Sequence, residues 1–252
     1  MKIESLIQYL GGYLEVATHP DDPAAMNGLQ VGGRDEVRHI VAAVDASEAS
    51  ILEAVRLQAD LMLVHHGLFW GGPQPLTGRL LRRVRPLIES GVALYSCHLP
   101  LDGHPEVGNS AVLARALGLT LEGRMGAYRD VEIGWHGRLD PALDAPGLES
   151  RAEAALGGPA RVLAGGPARI ERVGVVTGSG GSFVEEAVGL GLDAFVTGEV
   201  RHATYFDAME LGIHVVLGGH YATETFGVKA LCEHLAERFG LTWEFVDQPT
   251  GL

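Results

Sequence analysis

The run Asp60-Leu61-Met62-Leu63-Val64-His65-His66-Gly67 decides how this 252-residue chain is read. Four apolar residues in unbroken succession read as a strand buried on both faces. Such strands belong to the parallel sheets of α/β proteins, where ligands collect at the carboxyl ends of the strands. Here that end carries two adjacent imidazoles, which pack poorly and ligate metals well. Neighbouring side chains on a strand diverge, so two ions, one for each histidine, suit them better than one.

Outward from this run, strands and helices alternate. Ile40 to Val44 reads as a strand and Ser47 to Leu57 as a helix. The arginine-rich segment ending at Ile88 reads as a helix, Val92 to Ser96 as a strand and Asn109 to Leu117 as a helix. Near the start, Ile3, Leu6, Ile7 and Leu10 have helical spacing, with Gly11-Gly12 as the stop. Arg129 to Leu139 alternates like an antiparallel or edge strand. Val173 to Thr177, Ala194 to Thr197 and Ile213 to Leu217 follow as strands separated by helices. A long helix over Thr223 to Phe239 and a strand over Thr242 to Val246 close the chain. The fold class is α/β, with helices covering largely parallel or mixed sheets in three-layer fashion.

A faint repeat runs through this alternation. Glu53-Ala54-Val55, then Asp60, then the apolar run leads to His65-His66; Glu186-Ala187-Val188, then Asp193, then Ala194 to Thr197 leads to Gly198-Glu199. Each copy is followed by a helical segment and a glycine-led strand, Gly91 to Ser96 and Gly212 to Leu217. The repeat predicts two related α/β halves, residues 1–125 and 126–252, with the last helix and strand free to pack back on the first half. Strand ends of two such halves can face each other across a cleft, a common place for ligands.

Bulk composition narrows the function. Apolar residues make up 46% and charged residues 20%, as in ordinary soluble proteins. No apolar stretch reaches the roughly 18–20 residues needed to span a bilayer. The opening Met1-Lys2-Ile3-Glu4 lacks the layout of a secretion signal, so a cytoplasmic location is expected. A net charge of -13 argues against nucleic-acid binding. Cys97 and Cys232 are too few for a disulfide framework and are not spaced as a zinc pair. Arg79, Arg82, Arg83 and Arg85 cluster, and their ordinary reading is a solvated helix face.

Three polar clusters follow three strands: His65-His66, His98 to Asp102, and Gly219-His220 with Glu224. His220 and Glu224 are four apart, so one helical face presents both. Carboxylates bridge ions and imidazoles do not, which makes Asp102 and Glu224 the bridging candidates between two ions roughly 3.5–4 Å apart. Mixed imidazole and carboxylate donors suit Zn, Mn, Fe or Co rather than Ca. His98 is open among ligand, partner of a ligand and general base. Glu199 and His202, at the matching strand of the second half, are open between a role at the site and a plain helix start. Val176 to Ser182 is glycine-rich, but it lacks a nucleotide-loop lysine and reads as a tight turn.

At these residues the chain resembles the GTP cyclohydrolase I type 2 family, also known as the Nif-three-like family of dinuclear metal proteins. The matching pieces are Asn27 to Gly32, His65-His66-Gly67, His98 to Asp102, Thr197-Gly198-Glu199 with His202, and Gly219-His220 with Glu224. They run in order over nearly the whole chain, in the short form without an inserted domain. The resemblance implies His65, His66, Asp102, His220 and Glu224 as ligands of two divalent ions. It also implies two α/β domains with the ions in the cleft between them, and a ring-shaped homohexamer. Leu99-Pro100-Leu101 departs from the more polar residues of relatives. The expected function is a metal-dependent hydrolase acting on a nucleotide or related small molecule, using hydroxide generated at the ions. His98 and Glu199 are the candidate proton carriers. The alternative is a non-catalytic scaffold or interaction protein braced by a metal pair.

Overall fold

The computed structural model describes all residues except Pro73. Its strands are β1 (Gly28–Val31), β2 (His39–Asp45), β3 (Leu61–His66), β4 (Ala93–Ser96), β5 (Thr120–Tyr128), β6 (Val131–Leu143), β7 (Arg161–Ala164), β8 (Ile170–Val175), β9 (Ala194–Thr197), β10 (His214–Leu217) and β11 (Thr242–Phe245). Its helices are α1 (Ile3–Tyr13), α2 (Glu48–Arg56), α3 (Gly78–Ser90), α4 (Leu99–Asp102), α5 (Asn109–Ala116), α6 (Ala145–Leu156), α7 (Val184–Gly189), α8 (Thr204–Leu211), α9 (His220–Thr223) and α10 (Thr225–Phe239).

Two compact units result. The first comprises residues 1–101 and 227–248, the second residues 102–226 and 249–252. The boundary expected at 125/126 falls inside β5, which forms a hairpin with β6 and so belongs wholly to the second sheet. α10 passes from the second unit into the first, and β11 then pairs with β2 in parallel.

The first sheet has the order β1-β4-β3-β2-β11 and is parallel except for β1. Val41, Ala43, Met62, Val64 and Leu94 pack with Ile51 and Ala54 of α2 and Leu80, Val84 and Leu87 of α3. The alternate residues Ile40, Ala42, Leu61, Leu63 and Tyr95 are buried as well, so both faces of the sheet are covered. Each fully buried aliphatic side chain here contributes about 1.5–3 kcal/mol. α2 begins where the sequence places it: Ser47 caps it, and Ser47 and Ser50 bond reciprocally in a capping box. α1 runs through Gly11-Gly12 to Tyr13, because Leu10 and Leu14 are buried and hold its last turn.

The second sheet has the order β5-β6-β8-β9-β10-β7, with β8, β9 and β10 parallel. β1, β5, β7 and α6 were not evident in the sequence. β5 contains two glycines and β1 and β7 have four residues each, so none carries a clear alternation.

The repeat has a structural counterpart. Asp60 Oδ2 accepts from the N–H groups of Arg38 and His39 at 2.9 and 3.1 Å, at the start of β2. Asp193 Oδ2 accepts from Glu171 and Arg172, both at 2.8 Å, at the start of β8. Two residues before each aspartate the backbone turns left-handed, at Gln58 and at Gly191. Backbone bonds then stitch Asp60 to His39 and Ala93, and Asp193 to Arg172 and His214. One carboxylate in each unit thus sets the register of three parallel strands.

Burial pushes the Asp60 carboxyl up, but the Arg38 and His39 N–H groups and the Arg34 guanidinium outweigh it and hold the group below its ordinary value. Its stabilising effect is therefore present above the unfolded carboxylate value of about 3.9 and is lost as pH falls through the lower folded value. Asp60→Ala and Asp193→Ala are each expected to cost about 1–3 kcal/mol in urea unfolding at neutral pH. The Asp60→Ala deficit should shrink as acid protonates the folded carboxyl; a deficit that stays constant across the whole acid titration would contradict the ionised role.

Candidate metal centre

In the first unit, His65 and His66 are the last two residues of β3 itself rather than residues beyond it. Their rings do not diverge as strand alternation suggests: the centroids are 4.6 Å apart, tilted at 49°. His98 joins them, its centroid 5.0 Å from His65 and 5.6 Å from His66. One nitrogen from each of the three rings lies within 4.8 Å of the others, so they form a candidate metal-binding group.

Each ring is held through Nδ1. His65 Nδ1 lies 3.0 Å from the Cys97 carbonyl oxygen, His66 Nδ1 2.9 Å from Asp45 Oδ1, and His98 Nδ1 2.9 Å from Asp21 Oδ1. A carbonyl or carboxylate only accepts, so each Nδ1 carries the proton and a neutral ring has its lone pair on Nε2. That is the arrangement by which proteins orient and strengthen metal-ligating histidines.

Asp21 is held in turn by Asn27, whose Nδ2 donates to Oδ2 at 2.8 Å, while Asn27 Oδ1 accepts from the His98 N–H at 2.7 Å. Burial pushes the Asp21 carboxyl up, but the bond and charge of His98, with Asn27 and the Asp22 N–H, hold it below its ordinary value. Gln30 Oε1 accepts from the Leu68 N–H at 2.7 Å. A Cβ at Gly67 would collide with the Gln30 amide, so only glycine lets that amide close on the loop after the histidines. The segment Asn27 to Gly32 is therefore a brace for the histidine cluster.

In the second unit, Asp102 is buried and its Oδ1 accepts from Asn109 Nδ2 at 2.8 Å and from Thr177 Oγ1 at 3.2 Å. His220 and Glu224 meet as their spacing predicts, with Nε2 and Oε2 3.1 Å apart. His220 Nδ1 lies 2.9 Å from Glu199 Oε1, and Ser179 Oγ donates to the same oxygen. The glycine-rich stretch is a turn, and its tightness has a purpose: a Cβ at Gly178, where φ is +64°, would collide with Glu224 Oε1. Thr223 Oγ1 accepts from the Gly178 N–H, and Gly178 O accepts from the N–H groups of Gly198 and Glu199.

The Ser179 hydroxyl and the His220 N–H hold the Glu199 carboxyl below its ordinary value. The bond to Glu224 is the main influence on His220; with Glu199 it outweighs burial and pushes the imidazole up to about 9. Glu199 thus stands as the carboxylate that orients His220. His202 is exposed, its ring edge resting on Phe206, and joins no polar cluster among the described residues. Asp21 and Asp45 were missed in the sequence. Asp45 had a signal, a carboxylate ending the strand beside the histidine strand; Asp21 lies in a proline-rich loop and had none.

The Duf34/NIF3 (NGG1p interacting factor 3) family model matches residues 1–250. The chain belongs to this family. A Duf34/NIF3 relative from Deinococcus radiodurans, named GTP cyclohydrolase 1 type 2 homolog, is 43% identical over 249 residues, 99% of this chain and 94% of its own. Among solved structures, protein ybgI, of unknown function, aligns over 100% of both chains at a TM-score of 0.93 and 41% identity. TTHA1606 from Thermus thermophilus aligns over 100% of both at 0.91 and 43%. Among the described residues, no helix is long and apolar enough to cross a membrane.

Two outcomes follow from these tethers. Asp45→Ala and Glu199→Ala are expected to lower divalent-ion affinity about 10–100-fold in calorimetric titration, as loss of a carboxylate behind a ligating histidine does. In the metal-free protein, the His220 imidazolium should titrate near 9 by NMR. Its stabilising effect is full below the unfolded histidine value of about 6.5 and is lost as pH rises through about 9. A midpoint at or below the unfolded value would contradict the paired imidazolium.

Proposed function

We propose that this protein is a dinuclear metal-dependent hydrolase in which His65, His66, Asp102, His220 and Glu224 hold two divalent ions. The observation that carries the reading is the common tether of the histidines, each with Nδ1 on a carbonyl or carboxylate oxygen and Nε2 as the donor atom. The donor set of imidazoles and buried carboxylates suits Zn, Mn, Fe or Co. The Gly178 cradle, which a single Cβ would fill, fits a Glu224 carboxylate kept in one position. Such ions, when bound, polarise a substrate oxygen and acidify water.

The chain's own residues do the rest. Asp21 fixes the Nδ1–H of His98 and so leaves Nε2 as the atom through which His98 accepts and returns a proton. Glu199, ionised and bonded to Ser179 and His220, positions a ligand and transfers no proton. The Trp70 ring packs nearly perpendicular to the rings of His66 and His98, at centroid distances of 5.7 and 4.6 Å. A nucleotide or related small molecule is the proposed substrate, on the strength of the name the curated relatives carry. A homohexamer acting in the cytoplasm completes the reading. It rests on the resemblance and on the exposed apolar Tyr205, Phe206 and Leu211 of α8, a surface suited to a protein contact.

The test is turnover of a nucleotide panel by protein reconstituted separately with Mn, Zn, Fe and Co. The wild type is expected to exceed a His65→Ala, Glu224→Ala double variant by roughly 10³-fold with at least one metal, the scale of ion catalysis. Equal traces of activity in both proteins with every metal would leave the ions as a brace.

A further inference from the structure

Beside His66 the first unit holds a cavity of about 340 Å³, lined among others by Asp45, Ser47, His66, Trp70, Arg79 and Arg83. That volume is at the lower end of small-ligand sites. Its charge is out of keeping with the chain. The protein as a whole carries -13, yet this wall presents two guanidiniums against one carboxylate. The carboxylate, Asp45, is engaged with His66 Nδ1 at 2.9 Å.

The arginine cluster is not a uniform solvated face. Arg82 is exposed and pairs with Glu48, Nε to Oε2 at 2.9 Å. Among the described residues, no carboxylate forms an ion pair with Arg79 or Arg83. Arg83 is half-buried, and its buried Nε–H has no hydrogen-bond partner among the described residues. Burial, and then the charge of Arg79, outweighs the opposing charges of Asp45 and Glu48 and holds its guanidinium below the ordinary arginine value. Two like charges in one cavity, offset only in part by Asp45 and Glu48 and with a buried donor unspent, are costly unless an anion answers both. Arginine forks match the oxygen geometry of phosphate.

We propose that Arg79 and Arg83 form a phosphate-binding subsite beside His66, which anchors the phosphate group of a small-molecule ligand. The subsite stands on its own geometry; that the anchored molecule is the substrate rests on the hydrolase reading above. Ser47 and Trp70 line the same cavity and would border the remainder of the ligand.

The experiment is calorimetric titration of the full chain, stripped of metal by chelation and then desalted, with inorganic phosphate, guanosine monophosphate and guanosine. Wild type is expected to bind the first two and not guanosine. Tighter binding of the nucleotide would identify a phosphorylated small molecule as the ligand, and equal binding would identify free phosphate. Arg83→Gln and Arg79→Gln should each weaken phosphate binding about tenfold or more, the worth of one charge-assisted bond. Arg82→Gln should stay within about twofold, because its charge is already paired on the surface. If Arg83→Gln melts early, the exposed Arg79→Gln decides. No binding to stripped wild type, or wild-type affinity in both Arg79→Gln and Arg83→Gln, overturns the subsite. Because the stripped protein is used, absence of turnover with phosphate binding intact would sink only the hydrolase reading. Turnover without Arg-dependent binding would sink only the subsite.

Discussion

The side chain of Asp60 takes the two N–H groups that open β2, while its backbone joins β2 to β4. Everything at the far end of these strands depends on that clasp. With the register set, Asp45 pairs with His66 and Val64 with Ser96, so the histidines, the Asp45 carboxylate and the Cys97 carbonyl arrive at one height. A slip of one residue would send His65 and His66 to each other's faces and part both from their oxygens. Asp193 does the same work for β8, β9 and β10, which deliver Thr177, Glu199 and the turn before His220.

Orientation is then a matter of short tethers. Four imidazoles are fixed by Nδ1, three of them through a carboxylate. The glycines 67 and 178 serve the same end by absence, since a side chain at either would displace Gln30 or Glu224. Each cluster is accordingly preorganised by groups behind its imidazoles: Asp21 and Asp45 in the first unit, Glu199 in the second.

What the sequence made legible follows from how local each signal is. The apolar run before His65 announces a buried parallel strand by itself, and the repeat of aspartate and apolar run announces its counterpart. The i, i+4 spacing of His220 and Glu224 needs only helical geometry. Asp21 and Asn27 escape, because nothing within their proline-rich loop foretells a bond to His98 from so far along the chain. The same holds for Arg83. Its neighbours Arg79 and Arg82 look alike in sequence, and only packing separates a paired surface charge from a half-buried one. β5 and β7 were invisible for a related reason: glycine-bearing or four-residue strands owe their existence to partners, not to propensity.

The path of α10 and β11 bears on how the protein is made. The second sheet comes from one uninterrupted stretch, whereas the first sheet is written in two instalments, with β11 supplying the parallel neighbour of β2. On a ribosome, every strand of the second sheet is made while the first sheet still has an open edge. That edge, the outer side of β2, belongs to the strand that ends in Asp45. An open hydrogen-bonding edge on a nascent chain invites strand pairing with other chains. β11, made after the other strands of both sheets, is thus the one that closes it.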